Sequence, residues 1–142
     1  MKKVGIFVVV AVVVVLLLPV LMRGSRKPEE EVTRIDLTIP PTVVSMSPEN
    51  GATNVPSTVT EMSVTFNQPM ESGFSWTGAG DQVPEGTGRP YWSENKRTCT
   101  RPVRLKPHWD YRQGLNSKSY RNFRNAAGVP LEPVVWRFST GD

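Results

Sequence analysis

The stretch LKPHWDY, residues 105–111, holds the only histidine of the chain, His108, with Asp110 two positions later. A histidine and an aspartate close together are the usual groups of acid–base and nucleophilic catalysis. A nucleophile would have to come from an unmarked serine, because the sequence contains no G-x-S-x-G, no H-E-x-x-H and no second histidine. We therefore predict no catalytic residue and expect a protein that is not an enzyme.

Metal and cofactor sites are not expected either. One histidine and one distant cysteine, Cys99, are too few for zinc, and the acidic residues of GDQVPEG and PEEEV are too loosely spaced for calcium. The lone cysteine forms no internal disulfide, and its place in RTCTRPV indicates a small buried hydrophobic residue. The loop TGAGDQVPEGTGR matches no phosphate-binding pattern, so it is interpreted as a flexible connection.

Residues 4–22 form an uncharged, valine-rich run, preceded by two lysines and followed by three basic residues. As a helix this run would be roughly 28 Å long, close to the thickness of a bilayer's hydrocarbon core. It is longer than the apolar part of a signal peptide, and no A-x-A-like cleavage site follows it. Residues 1–22 are therefore expected to be an N-terminal transmembrane anchor; if the segment is cleaved instead, the protein is secreted.

The net charge of +4 belongs mostly to the residues around the apolar run. From Pro28 onward there are twelve Lys and Arg against thirteen Asp and Glu, so nucleic acid is not an expected partner. Residues 28–88 hold nine acids and one base, whereas residues 89–124 hold ten bases and two acids. This asymmetry is interpreted either as opposite charges on neighbouring strands or as a basic face for a polyanion or anionic lipid.

Residues 23–40 are charged and end in proline, as a linker would, although Ile35, Leu37 and Ile39 alternate with polar residues and leave an added edge strand open. Residues 41–142 consist of short alternating segments separated by turns rich in Pro, Gly and Asn, which favours an all-β sandwich. The predicted strands number about seven: TVVSM, EMSVTF, the segment 74–76, PYW, TCTRPVRL, DYRQGLN and VVWRFST.

Aromatic residues are interleaved with arginines between residues 89 and 124, as in some nucleic-acid and carbohydrate sites. Alternate strand residues of a sandwich must fill its core, so Trp92, Tyr111, Trp136 and Phe138 are assigned to the core. Trp109 and Tyr120 fall on predicted loops and are the better candidates for contact with a partner.

Four motifs in order carry a resemblance to a known family: PTVVSMSPENGATNVP, VTFNQPM, LKPHWDY and WRFST. They are similar to those of bacterial Ig-like domains of the surface-layer (SbsA-like) type, over residues 41 to 140. The chain departs from the pattern at Asn67, where Ser or Thr is usual, and in long segments at 77–89 and 116–133, where a binding function would be added. The resemblance implies a β-sandwich without catalysis, similar to fibronectin type III domains, located outside the cytoplasm of a bacterial cell.

The resemblance also gives LKPHWDY a structural interpretation. In Ig-like sandwiches a leucine plugs the core, a turn crosses to the other sheet, and a tyrosine hydroxyl bonds to backbone upstream. Leu105, Pro107 and Tyr111 fit these positions. Tyr111→Phe is expected to cost roughly 1 to 3 kcal/mol by leaving a buried acceptor unpaired.

Two functions follow from these observations. The first is a single-pass, membrane-tethered module that contacts a protein or envelope polymer without catalysis. The second is a receptor for an anionic glycan, lipid head group or other polyanion, bound through an Arg-rich face. The residues expected on that face are Arg101, Arg104, Arg121 and Arg124.

Overall fold

The computed structural model describes residues 34–142, which form one compact unit. The expected anchor, residues 1–22, and residues 23–33 of the expected linker lie outside the described residues. Between residues 34 and 142, no helix is both long enough and apolar enough to cross a membrane.

Eight strands build two antiparallel sheets that face each other. In chain order they are β1 (Val43–Ser47), β2 (Glu61–Phe66), β3 (Trp76–Thr77), β4 (Glu85–Gly86), β5 (Tyr91–Trp92), β6 (Thr98–Arg104), β7 (Asp110–Leu115) and β8 (Val134–Ser139). The first sheet has the order β1-β2-β6-β4, with β5 also paired to β6, and the second has the order β3-β7-β8. The predicted all-β sandwich is confirmed.

Two details of the strand prediction were wrong. The strands of the described residues number eight rather than about seven, because β4 forms inside the segment that was interpreted as a flexible connection. Its two residues pair with Arg104 and Val103 on β6. The third strand is β3 rather than residues 74–76. The edge strand that the sequence left open around residues 35–39 does not form.

Side chains along each strand point alternately to the two faces of its sheet, so every second residue contributes to the core. On β2, Met62, Val64 and Phe66 are buried, and on β8 Trp136 and Phe138 are buried. Further buried side chains come from both sheets and from the loops between them. They include Cys99, Val103, Leu105, Tyr111, Leu115, Phe123 and Leu131.

Aromatic rings run as a continuous series through this core. Trp92 lies against Phe123, Phe123 against Trp76, and Trp76 against Trp136, with centroid distances of 6.0, 5.6 and 6.2 Å. The series ends at Phe138 and Tyr111, whose rings stack at 5.2 Å. Rings in tilted and edge contacts add stabilisation beyond their buried area, so this series contributes to the packing of the two sheets.

Two buried amides fasten residues 37–40 to the sandwich. Asn125 Nδ2 donates to the carbonyl of Leu37 at 2.8 Å and to Gln68 Oε1 at 2.8 Å, and Gln68 Nε2 donates to the carbonyl of Ile39 at 3.2 Å. Asn125 is fully buried, and its Oδ1 accepts from the backbone N–H groups of Ala127 and Val129. The end of the expected linker is therefore hydrogen-bonded to the interior.

Candidate functional site

His108 and Asp110 do not form a catalytic pair. The carboxylate beside His108 Nε2 is that of Asp142, at 3.3 Å, and the His108 side chain is 73% exposed. Asp110 begins β7 and pairs in register with Ser139. Among residues 34–142, no three His, Cys, Asp or Glu side chains are grouped as metal ligands would be.

Tyr111 lies at the crossing from the first sheet to the second. Its side chain is 4% exposed, and its hydroxyl accepts a hydrogen bond from the backbone N–H of Lys106 at 2.7 Å. Leu105 is buried and Pro107 is exposed in the same turn. The expectation that the bond would satisfy a buried acceptor was wrong, since the group paired with the hydroxyl is a donor. The structural role of the three residues stays a prediction, and the substitution Tyr111→Phe tests that of Tyr111.

Trp109 makes its polar contacts within the chain. Its indole Nε1 donates to the carbonyl of Asp81 at 2.8 Å, and its backbone N–H donates to Thr140 Oγ1 at 2.9 Å. The ammonium of Lys106 lies 4.4 Å from the centre of its ring. One ring face and the only donor of the side chain are thus occupied, which leaves Trp109 a poorer contact candidate than Tyr120, whose side chain is 64% exposed.

The four arginines expected on one face do not all share a face. Side chains alternate along β6, and Arg101 has the same parity as the buried Cys99 and Val103, so it points between the sheets. Arg104 has the opposite parity, is exposed, and pairs with Glu85 at 3.1 Å. Arg121 and Arg124 lie exposed in the 116–133 segment, where Arg124 Nε donates to the carbonyl of Arg121 at 2.7 Å.

Arg101 and Tyr120 do meet, at an open cavity of about 410 Å³ beside β3. The other residues that line it are Phe74, Ser75, Trp76, Thr77, Gly78, Pro90 and Asn122. The wall combines residues from both of the long segments, 77–89 and 116–133, with strand residues of the two sheets. Its size is that of ordinary small-molecule pockets, and it mixes aromatic with polar groups, as such pockets do.

The guanidinium of Arg101 is held by neutral groups. Its Nη1 donates to Gln113 Oε1, and its Cζ lies 5.9 Å from the centre of the Trp76 ring. Partial burial lowers the pKa of Arg101 from its ordinary value, because removal from water disfavours the charged form. Within residues 34–142 no carboxylate forms an ion pair with Arg101.

Cys99 is fully buried beside Trp76, which lines the cavity. Burial raises the pKa of the Cys99 thiol to about 12, against a smaller lowering by the neighbouring Trp76 N–H. That indole N–H makes no hydrogen bond of standard geometry within the described residues. The thiol is therefore neutral at physiological pH, which makes it a packing residue rather than a nucleophile.

Two residues of the site were missed from the sequence. Gln113 is fully buried on β7, and Trp76 forms the wall behind Arg101. Gln113 carries a signal in the sequence, because it stands at the inward parity between Tyr111 and Leu115 on a strand whose inner face should be apolar. The same parity argument would have placed Arg101 inside.

The two-sheet architecture and the crossing at Tyr111 are those of an Ig-like β-sandwich. The family model described as "Bacterial Ig-like domain" matches residues 37–140. The chain therefore belongs to the bacterial Ig-like domain family, and the resemblance read from its motifs is confirmed.

Two solved structures are similar to the chain, "Structure of surface layer protein SbsC, domains 1-6" and "Crystal structure of the S-layer protein rSbsC(31-844)". Each is 21% identical over 72% of this chain, with TM-scores of 0.46 and 0.43. The chain spans 14% of the length of each. No curated protein matches the chain.

Proposed function

We propose that this protein is a non-catalytic, membrane-tethered Ig-like module that contacts a protein or envelope polymer outside the cytoplasm of a bacterial cell. The observation that carries the proposal is the match of residues 37–140 to the bacterial Ig-like family, which takes up nearly all of the described chain. Domains of this kind present loops on a rigid sandwich, so variation in the loops changes the partner while the scaffold stays constant.

The tether in this proposal is the apolar run at residues 4–22, whose length suits a bilayer crossing. A tether is useful only if tension on it reaches a stable part of the domain. The hydrogen bonds from Asn125 and Gln68 to the backbone of residues 37–40 provide such an attachment, since both amides are buried in the sandwich. Cleavage of the run would instead release the same module as a secreted protein.

The absence of catalysis is supported by the position of His108. The side chains of His108 and of its neighbour Asp142 are both largely exposed to solvent. A general base needs a defined environment and a substrate within hydrogen-bonding reach. An exposed turn residue with an exposed partner supplies neither.

Photo-crosslinking in intact cells tests the interaction. In one variant a photoreactive phenylalanine analogue replaces Tyr120, which is exposed in the 116–133 segment. In a second variant the analogue replaces Glu94, which is exposed in the β5–β6 turn and serves as the control position. We expect one or a few discrete products from position 120 and none of the same mass from position 94. Identical products from both positions, or none from either, would contradict a specific contact through this segment.

The alternative of a polyanion receptor with an Arg-rich face is not the function that the geometry favours, because Arg101 and Arg104 point to opposite sides of β6. That hypothesis requires retention on heparin that falls steeply with salt and disappears when all four become serine. The structure instead singles out one of the four, Arg101.

A further inference from the structure

The cavity beside β3 contains a cation that the fold does not neutralise. Arg101 points between the sheets, yet the described residues give it only the amide oxygen of Gln113 and the face of Trp76. Transfer of a guanidinium out of water is unfavourable unless charged or polar partners replace the lost hydration. A neutral amide and one ring use few of its five N–H donors, so the remaining donors are available to a ligand in the cavity.

The position of the guanidinium is fixed by a fully buried side chain. Gln113 Nε2 donates to the carbonyl of Thr77 at 2.7 Å and to the carbonyl of Gly114 at 3.0 Å. These two bonds orient the amide so that its Oε1 faces Arg101. The Trp76 ring supports the guanidinium from another side. A cation held in one orientation before a ligand arrives loses little entropy on binding, which is the condition for recognition in a small site.

The rest of the cavity offers groups of two kinds. Phe74, Trp76 and Tyr120 contribute aromatic surface, and Tyr120 stands on the rim with its ring exposed. Ser75 and Asn122 contribute a hydroxyl and an amide. The backbone N–H of Asn122 already donates to Ser75 Oγ at 3.1 Å, so the Ser75 hydroxyl keeps its own proton to donate.

We propose that this cavity binds an acidic saccharide unit, with its carboxylate on Arg101 and its ring against the aromatic wall. A guanidinium and a carboxylate are both planar, and the guanidinium binds the carboxylate through two parallel hydrogen bonds. Ser75 and Asn122 then hydrogen-bond sugar hydroxyls, and Tyr120 covers one face of the ring. A peptide carboxylate fits less well, because strand β3 beside the cavity is only two residues long and offers too short an edge for an added peptide strand.

Both long segments that depart from the family pattern line this cavity, 77–89 through Thr77 and Gly78 and 116–133 through Tyr120 and Asn122. Segments added to a rigid scaffold are the usual place for a specific site. The saccharide site does not depend on the membrane tether, so a failure of either proposal leaves the other standing.

Saturation-transfer NMR on the full 142-residue chain, kept in mild detergent, tests the site. The probes are glucuronate, glucose as its neutral counterpart, and a blocked glutamate as a carboxylate without a sugar ring. We expect saturation of glucuronate ring protons, and affinities for glucose and blocked glutamate that are lower by about tenfold or more. Equal binding of glucose, tighter binding of the blocked glutamate, or no glucuronate signal at millimolar concentration would overturn the proposal.

The matched variants are Arg101→Met and Arg104→Met, which remove neighbouring arginines of opposite parity from β6. Loss of the interior arginine should weaken glucuronate binding by about tenfold or more, and loss of the exposed one by less than about twofold. Because Arg101→Met leaves Gln113 Oε1 without its partner and can affect folding, Tyr120→Ala is the second variant. It changes an exposed side chain and should weaken binding several-fold with an unchanged melting temperature. Unchanged binding in both Arg101→Met and Tyr120→Ala would contradict the site.

Discussion

The hydroxyl of Tyr111 offers the sharpest test of how the crossing between the sheets is stabilised. Tyr111→Phe removes one oxygen and keeps the ring, which stacks on Phe138 at a centroid distance of 5.2 Å. The change therefore isolates the hydrogen bond from the backbone N–H of Lys106, at 2.7 Å. What remains after the substitution is an N–H group without its acceptor at a turn that joins β6 to β7.

The expected loss follows from the burial of that group. An intramolecular hydrogen bond contributes about 0.5 to 1.5 kcal/mol net, and an unpaired buried donor costs about 1 to 3 kcal/mol. The bond is only partly buried, so we expect a decrease in the free energy of unfolding of about 1 to 2 kcal/mol. For a domain of this size the melting temperature should fall by roughly 4 to 15 °C.

Urea and thermal unfolding of the full chain, followed by tryptophan fluorescence, measure this loss. The matched control is Tyr91→Phe, which removes a hydroxyl that donates to Glu61 Oε1 at 2.9 Å from a side chain that is 49% exposed. Water replaces the partner of an exposed hydroxyl, so the control should leave the melting temperature unchanged within error. Equal melting temperatures for wild type and Tyr111→Phe would refute the role assigned to Tyr111.

Three further substitutions test other parts of the account. Asn125→Ala removes the side-chain partner of several partly buried backbone groups and should lower the free energy of unfolding by more than about 2 kcal/mol, with faster proteolysis near residues 34–40. His108→Ala, at an exposed turn, should change the free energy of unfolding by less than about 0.5 kcal/mol in the same urea titrations. For Cys99, the unfolded thiol ionises above its ordinary pKa of 9.0, whereas the buried thiol stays protonated to about 12. The free energy of unfolding should therefore fall as the pH rises from about 9 to about 12, and it should fall less in Cys99→Ala. Parallel pH profiles of stability for wild type and Cys99→Ala would contradict the raised pKa.

The regular strands were predictable because one face of each is buried. The alternation of Met62, Val64 and Phe66 determines both the strand type and the side that packs inward. Strand β4 was not predictable, since Glu85 and Gly86 have no strand preference. They are held extended by the backbone groups of β6 that β5 leaves unpaired.

The candidate site was predictable only in part. The excess of basic residues between 89 and 124 led to the prediction that Arg101 lies on a basic face. Arg101 instead alternates in step with the buried Cys99 and Val103 along β6, so its side chain points inward. The direction of the Tyr111 hydrogen bond has no sequence signal, because a hydroxyl both donates and accepts. The cavity depends on two long segments that meet only through tertiary packing, which no local pattern encodes.

The most direct measurement of the proposed function is the side of the membrane on which the domain lies. In a Cys99→Ala background, Glu94→Cys introduces one exposed thiol in the β5–β6 turn, whereas the native Cys99 is buried. A membrane-impermeant maleimide added to spheroplasts should label this variant at once, and the labelled chain should stay with the membranes after an alkaline carbonate wash. Labelling that appears only after the membrane is opened would contradict an extracytoplasmic domain, and recovery of the labelled chain in the wash would contradict the tether.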